Sequence, residues 1–432
     1  MSKVSPARRA AFEVLHDVEA EGAMSSILAD YDERLSAKDR GLCHEIVLGV
    51  LRRQIALDRE IDVFAGGKKL DVAVRVILRV GLYQLRHLDR VPAYSAINES
   101  VELAKLAKRK SAAGFVNAIL RRATRETPQF VFADEFDRIN VETSHPRWLL
   151  ERWVDSFGIE RTASIAAANN ELPRQFFRPT LNVMVEDIAR LNEYKDERFD
   201  GVFCYSTPDD GLLEMLSRGA IYTQDAGSQL VASGVSKLIK QRFLDVCASP
   251  GGKTGLIAML QNDRPEIEIV AGDISKNRVD VLRENLSAQG CRDVDVHRYN
   301  AEVELPFEKA SFDTVFVDAP CSGTGTIRHN PEIRYRANND ELVRHSKRQL
   351  EILRNASELV SSGGTLVYST CSLEIAENES VIEQFMTNVV GFEICELDLQ
   401  ARFRTDAGHY RMWPDRDGCD GFFVAGLKRF KK

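Results

Sequence analysis

The 432-residue sequence predicts a multidomain protein: an all-helical front, a small mixed α/β connector and a C-terminal α/β domain on a parallel, Rossmann-like sheet. Three observations carry this reading. The chain is too long for one hydrophobic core. Its first 126 residues place apolar side chains at helical spacing. From residue 241 short β-branched runs alternate with helical ones, as in a sheet built by crossover units. The expected divisions are 1–130, 140–235 and 236–432.

In the front, Ser5-Pro6 supplies an N-cap and first-turn proline, followed by Ala7, Ala11, Val14, Leu15 and Val18. Ser36 and Asp39 open a second helix carrying Leu42, Ile46, Val47, Val50 and Leu51. Further helical patterns cover 72–88, 95–107 and 112–125, with turns at Gly66-Gly67 and Val91-Pro92. The less periodic stretch 124–142 reads as a linker. In the connector, His145-Pro146 opens a helix through Trp153, and the run 176–183 reads as a strand.

Charge is divided unevenly. Residues 1–130 hold 22 Lys and Arg against 17 Asp and Glu, a net of +5, while the remainder nets −12. The basic residues gather at Lys105, Lys108, Arg109, Lys110, Arg121, Arg122 and Arg125. Such a cluster is either a nucleic-acid footprint or a solvated helical face, and charge alone does not choose. The eight cysteines contain no C-x-x-C pair, which argues against zinc and against a disulfide framework. No apolar segment is long enough for a membrane span, and the opening residues lack a secretory core, so a cytoplasmic protein is expected.

The chemistry concentrates in the last domain. Strand 243–246 runs into Cys247-Ala248-Ser249-Pro250-Gly251-Gly252-Lys253-Thr254 and then a helix. Glycines allow close backbone approach, and a helix N-terminus offers free N–H groups to an anionic ligand. A P-loop would need a glycine where Cys247 stands, and the G-x-G-x-x-G spacing is absent, so both of those readings fail. A second strand, 267–272, ends in Asp273, 21 residues beyond Gly252, where an acid can accept from ribose hydroxyls; a solvent-exposed strand end is the plainer reading. Strands 314–317 and 365–367 lead into Asp318-Ala319-Pro320-Cys321-Ser322-Gly323 and Tyr368-Ser369-Thr370-Cys371-Ser372. Two thiols and an acid then meet at the carboxyl edge of one sheet, a set suited to covalent catalysis. A thiolate adding to carbon 6 of a pyrimidine makes carbon 5 nucleophilic toward a methyl donor, and an acid at N3 assists. The residues alone do not decide which thiol attacks.

Asp245–Thr254, Asp318–Gly323 and Ser369–Ser372, with Asp420-Gly421-Phe422-Phe423 as a closing strand, resemble the motifs of RNA (cytosine-5)-methyltransferases over roughly 222–430. The front, notably 93–104 and 114–121, resembles the RNA-binding NusB domain. The combination resembles the bacterial RsmB type, whose substrate is a cytosine of 16S ribosomal RNA. The resemblance implies that Cys247, Ala248, Ser249, Pro250, Gly251, Gly252 and Lys253 surround S-adenosyl-L-methionine, with Asp273 on its ribose and Arg278 supporting that pocket. It implies Asp318 at the methyl end and at N3, Cys371 as nucleophile and Cys321 in product release. It also implies ribosomal RNA rather than DNA or membrane as partner, with a monomer expected; transfer RNA is the alternative substrate and a non-catalytic ribosome-assembly factor the alternative role. Two positions depart from the pattern: Asn300 replaces an acidic residue near the adenine, and Ser249 replaces an alanine.

Overall fold

The computed structural model describes residues 4–21, 28 and 30–431; the first three residues of the opening segment lie outside it. The chain forms two compact units, Met1–Asn170 with Asn330–Arg336, and Glu171–His329 with Ala337–Lys432. The expected fold class is observed: a helical front, a small α/β sheet, and a large mixed sheet of Rossmann-like order.

The first unit is built from helices Pro6–Glu21, Ala37–Ala65, Val72–His87, Ala93–Leu106 and Ala113–Ala123, followed by Glu135–Thr143, Arg147–Phe157 and Ile159–Ala168. Their starts follow local chemistry. Ser36 accepts from the Asp39 N–H at 3.2 Å and Asp71 from the Ala73 N–H at 3.0 Å, satisfying donors that a helix start leaves open. Gly66, at φ 64°, ends the long helix in a left-handed turn. Close helix packing depends on small residues. A Cβ on Gly49 would lie 1.9 Å from the Tyr83 ring, and one on Gly81 would lie 2.7 Å from Leu120. The stretch expected to be a linker holds a helix, Glu135–Thr143. It buries only Ile139 and Val141, so no apolar stripe announced it. Its stability comes from the Asp134 cap and from Arg138 paired with Glu135 and Glu142. The inserted segment Asn330–Arg336 is held in this unit by Arg334, fully buried, donating to the Thr143 carbonyl (3.0 Å) and Asn170 Oδ1 (2.9 Å).

The second unit contains both sheets. Strands β1 (Gln175–Pro179), β2 (Phe203–Tyr205) and β3 (Ile221–Thr223) form an antiparallel sheet of order β2-β1-β3. The large sheet comprises β4 (Arg242–Asp245), β5 (Glu268–Asp273), β6 (Val294–Arg298), β7 (Phe312–Asp318), β8 (Val360–Thr370), β9 (Phe392–Cys395), β10 (Tyr410–Met412) and β11 (Phe422–Arg429). Its order is β10-β11-β8-β7-β4-β5-β6, with β9 also on β11. Strands β4 to β8 are mutually parallel and β11 runs against β8. Fully buried Phe243, Phe316, Leu366 and Tyr368 show why these runs read as continuous apolar stretches, since both sheet faces are covered. The chain leaves β4 toward β5 on one side and returns to β7 on the other, so the crevice between β4 and β7 is the topological switch point.

Arg178 on β1 ties the small sheet to that crevice. It is 1% exposed and donates to Gln224 Oε1 (2.7 Å), Gln289 Oε1 (2.6 Å) and the Gly252 carbonyl (2.9 Å). Burial lowers its pKa to about 10. Replacing it by alanine leaves the two buried glutamine acceptors and the half-buried Gly252 carbonyl without this donor, at about 1–3 kcal/mol for each buried one. Arg178→Ala should therefore lower stability by about 3 kcal/mol, read as a reduced midpoint in urea unfolding; an unchanged midpoint would show that Arg178 is not this anchor.

Candidate active site

A cavity of about 260 Å³ opens at the carboxyl ends of β4, β5 and β7. Cys247, Ser249, Asp273, Arg278, Asn300, Asp318, Cys321 and Cys371 all line it. The structure thus brings together the acids and thiols that the sequence placed on four separate strand ends. Ala248, Pro250, Gly251, Gly252 and Lys253 do not line this cavity; they shape the turn beside it.

At one end, the turn after β4 wraps around Asp273. Its Oδ2 accepts from the Ser249 N–H (3.0 Å), and its Oδ1 from the Ile274 N–H (2.8 Å) and Arg278 Nε (2.6 Å). Arg278 also donates to the Ser249 carbonyl at 3.0 Å, closing a ring of bonds around the turn. A carboxylate offers about four lone-pair directions, so this bonding still leaves Asp273 acceptor capacity. Ala248 N–H donates to the Gly272 carbonyl (2.9 Å), and Asn285 donates to the Pro250 carbonyl (2.8 Å). Gly251 has φ 103°, and a Cβ there would lie 2.9 Å from Leu282. Helix Gly252–Leu260 begins with no side-chain cap, leaving its first N–H groups available to an anionic ligand. Asn300 follows β6; its Oδ1 accepts from the Glu302 N–H at 3.0 Å. This end fits an adenosyl ligand with a carboxylate tail: an acid for ribose, an amide near the base and open helix donors for the anion.

The other end is organised by charge. Lys253 Nζ donates to Asp318 Oδ2 at 2.7 Å, and Ser369 Oγ donates to Asp318 Oδ1 at 2.6 Å. Burial opposes the Lys253 charge, but attraction to Asp318 and the bond to it prevail and raise its pKa. Behind them Asp245 is buried, accepts from Thr254 Oγ1 at 2.7 Å, and is pushed up to about 7 by loss of water. Burial also drives the Cys247 thiol up, which disfavours it as a reactive thiolate.

The two motif cysteines face each other with their sulfurs 3.4 Å apart. This follows from register: β7 and β8 pair in parallel with Asp318 opposite Ser369, so the loops leaving both strands emerge side by side. Gly325 N–H donates to the Cys371 carbonyl (2.9 Å), and Gly421 N–H to the Gly325 carbonyl (2.8 Å). Only glycine fits at 325, because a Cβ would lie 2.2 Å from the Gly421 oxygen.

Sequence reasoning missed Glu377. This fully buried acid accepts from Ser322 N–H (2.9 Å), Ser322 Oγ (2.5 Å), Ser372 Oγ (2.5 Å) and Gln349 Nε2 (3.1 Å). The residue after each cysteine is thus bound to one carboxylate. The signal was the acid-amide-acid run Glu377-Asn378-Glu379 just beyond the second cysteine motif. Arg348, paired with Glu302 at 2.6 Å, also lines the cavity unannounced.

A switch-point cavity with a glycine turn, an acid after the second strand and a thiol pair has the layout of a ligand site in an open α/β sheet. Comparison makes the class specific. Residues 237–428 match the family 16S rRNA methyltransferase RsmB/F, and residues 5–125 match the NusB family. The chain is 33% identical over 449 residues to "Probable ribosomal RNA small subunit methyltransferase B" of Bacillus subtilis, covering 99% of both. It is 31% identical to ribosomal RNA small subunit methyltransferase B of Escherichia coli O127:H6, again covering 99% of both. The crystal structure of PH0851 shares the fold over 99% of each chain, at 24% identity and a TM-score of 0.81. A methyltransferase homologue from Pyrococcus horikoshii, at 27% identity and a TM-score of 0.57, matches 69% of this chain and 100% of its own. The chain belongs to the RsmB/F family of 16S rRNA methyltransferases.

The Cys321 thiol is pushed well up by its bond to Cys371, by burial, and by the Cys371 and Glu377 charges. Removing the Glu377 charge must move it down. In Glu377→Gln, the pH profile of Cys321 alkylation, read by peptide mass spectrometry, should shift to lower pH. An unmoved profile would mean that the Glu377 charge does not reach the thiol pair.

Proposed function

We propose that the protein transfers a methyl group from S-adenosyl-L-methionine to carbon 5 of a cytosine in 16S ribosomal RNA, through a bond between Cys371 and carbon 6. The observation that carries this reading is the thiol pair, 3.4 Å apart, beside Asp318 and on the same cavity as Asp273. When bound, the sulfonium ligand supplies an electrophilic methyl group. The chain's own residues do the rest. Cys247 and Ser249 would line its pocket, Ala248 and Pro250 to Lys253 would shape the turn around it, Asp273 would accept from its ribose, Arg278 holds Asp273, and Asn300 would border the base.

Family resemblance assigns the addition to Cys371, with the Cys321 sulfur 3.4 Å away on the neighbouring loop. Asp318, held by Lys253 at 2.7 Å, would support N3 as the ring gains charge. After methyl transfer a base takes the carbon 5 proton, the freed electron pair re-forms the C5–C6 double bond, and the Cys371–C6 bond breaks to return the thiolate; Cys321, 3.4 Å from Cys371, assists this release.

We assign RNA binding to residues 1–130, a connecting role to 140–235 and the chemistry to 236–432, in a cytoplasmic monomer that acts on RNA rather than DNA. The seven basic residues from Lys105 to Arg125 are all exposed. Three are engaged by neighbouring acids: Lys105 with Glu102, Arg109 with Asp71, and Arg122 with Glu126. Surface pairs of this kind are worth little, so phosphate can displace them. The target base must leave its stack at a cost of about a few kcal/mol. Binding energy from the front domain offsets that cost.

Two measurements test this reading. The protein incubated with S-adenosyl-L-methionine and 16S rRNA should yield 5-methylcytidine by nucleoside mass spectrometry, and Cys371→Ala should abolish it. A methylated nucleoside of any other kind would refute the cytosine chemistry. Reversing Lys108, Lys110, Arg121 and Arg125 to glutamate should weaken RNA binding and flatten log affinity against log salt by roughly 0.7–0.9 per lost phosphate contact. Cofactor affinity should stay the same. An unaltered salt slope would return the cluster to a solvated helical face.

A further inference from the structure

Cys321 and Cys371 form the tightest thiol pairing at the carboxyl edge of the sheet. Their sulfurs are 3.4 Å apart, and both thiols line a cavity open to small solutes. Neither loop is free to separate from the other. Ser322 and Ser372, each directly after a cysteine, donate at 2.5 Å to the same Glu377 oxygen, and the Gly325 N–H holds the Cys371 carbonyl at 2.9 Å. A disulfide needs the sulfurs to close to about 2.05 Å, a movement within reach of side-chain rotation. Thiols fixed this near one another react at a high effective concentration.

We propose that this pair is a redox modification site: a hydroperoxide converts Cys321 and Cys371 into a reversible disulfide that switches off methyl transfer. The thiolate of Cys371 attacks the peroxide, giving a sulfenic acid and hydroxide. The Cys321 sulfur then attacks the sulfenic sulfur, forming the S–S bond and releasing water. Together the two thiols lose two electrons and two protons, and hydrogen peroxide is reduced to two waters. A dithiol reductant reverses the bond and is itself oxidised to a disulfide. Both sulfurs are withdrawn from RNA, while Asp273, Arg278 and Ser249 at the far end of the cavity keep their bonds. Cofactor binding therefore survives the switch. Cys321 also shields Cys371 from irreversible oxidation by resolving the sulfenic acid first. The bond itself is independent of the proposed function; only its consequence for methylation rests on that reading.

The test treats the full-length protein with hydrogen peroxide, blocks free thiols with iodoacetamide and maps peptides by mass spectrometry. The expected result is a Cys321–Cys371 linked peptide two hydrogens lighter than the separate thiols. Dithiothreitol should reverse it and restore methylation, with S-adenosyl-L-methionine binding unchanged throughout by calorimetry. In Cys321→Ser the same dose should carry Cys371 on to a sulfinic acid that dithiothreitol does not reverse. A wild-type protein that gives this sulfinic acid without a linked peptide, or that links Cys371 to Cys247 instead, overturns the proposal. A linked peptide in a protein that never methylates cytosine upholds the bond and overturns the functional reading.

Discussion

The buried carboxylate of Glu377 is the constraint on which the reactive end of the sheet depends. Burying an ionised acid is expensive unless its oxygens are filled, and here two serine hydroxyls, one backbone N–H and one amide fill them. Two of these donors come from the loop after β7 and one from the loop after β8. The acid cannot be satisfied unless both loops are in place, so solvation of one charge and alignment of two thiols are a single event. Tyr368 adds a bond from its hydroxyl to the Glu377 carbonyl at 2.6 Å, which fixes the residue itself.

The same logic extends toward β4. Asp318 has both oxygens occupied, by Lys253 and Ser369, so a charged pair is kept within the protein beside the cavity. Arg178 reaches from the small sheet to the Gly252 carbonyl and fixes the start of the uncapped helix. Asp245, Asp273 and Asp318 each close a strand, and hydrogen bonds from Thr254, Ser249 and Lys253 offset their loss of water.

The sequence made the local parts of this arrangement legible. Short apolar runs closed by Asp245, Asp273 and Asp318 became β4, β5 and β7, and Gly251-Gly252 became the tight turn into a helix. These signals survive because burial on both sheet faces and left-handed backbone geometry restrict residue type at the position itself. What was not legible depends on partners far along the chain. Glu377 binds Ser322, 55 residues away, and Arg178 binds Gln289, 111 residues away. The helix Glu135–Thr143 lacked an apolar stripe, and nothing in the residues 330–336 showed that Arg334 would be buried among the front helices. A pattern of period two or 3.6 reports burial along one element; it carries no information on which distant carbonyl a buried cation meets.

The most direct test asks which sulfur carries the base. A 16S rRNA fragment bearing 5-fluorocytosine at its target cannot lose the carbon 5 substituent, so the bond to the enzyme persists after methyl transfer. Protease and nuclease digestion followed by mass spectrometry then locates the bound nucleotide. The account predicts it on the peptide containing Cys371 and absent from the peptide containing Cys321. A nucleotide on Cys321 would contradict the assignment of roles to the pair, whatever the overall activity.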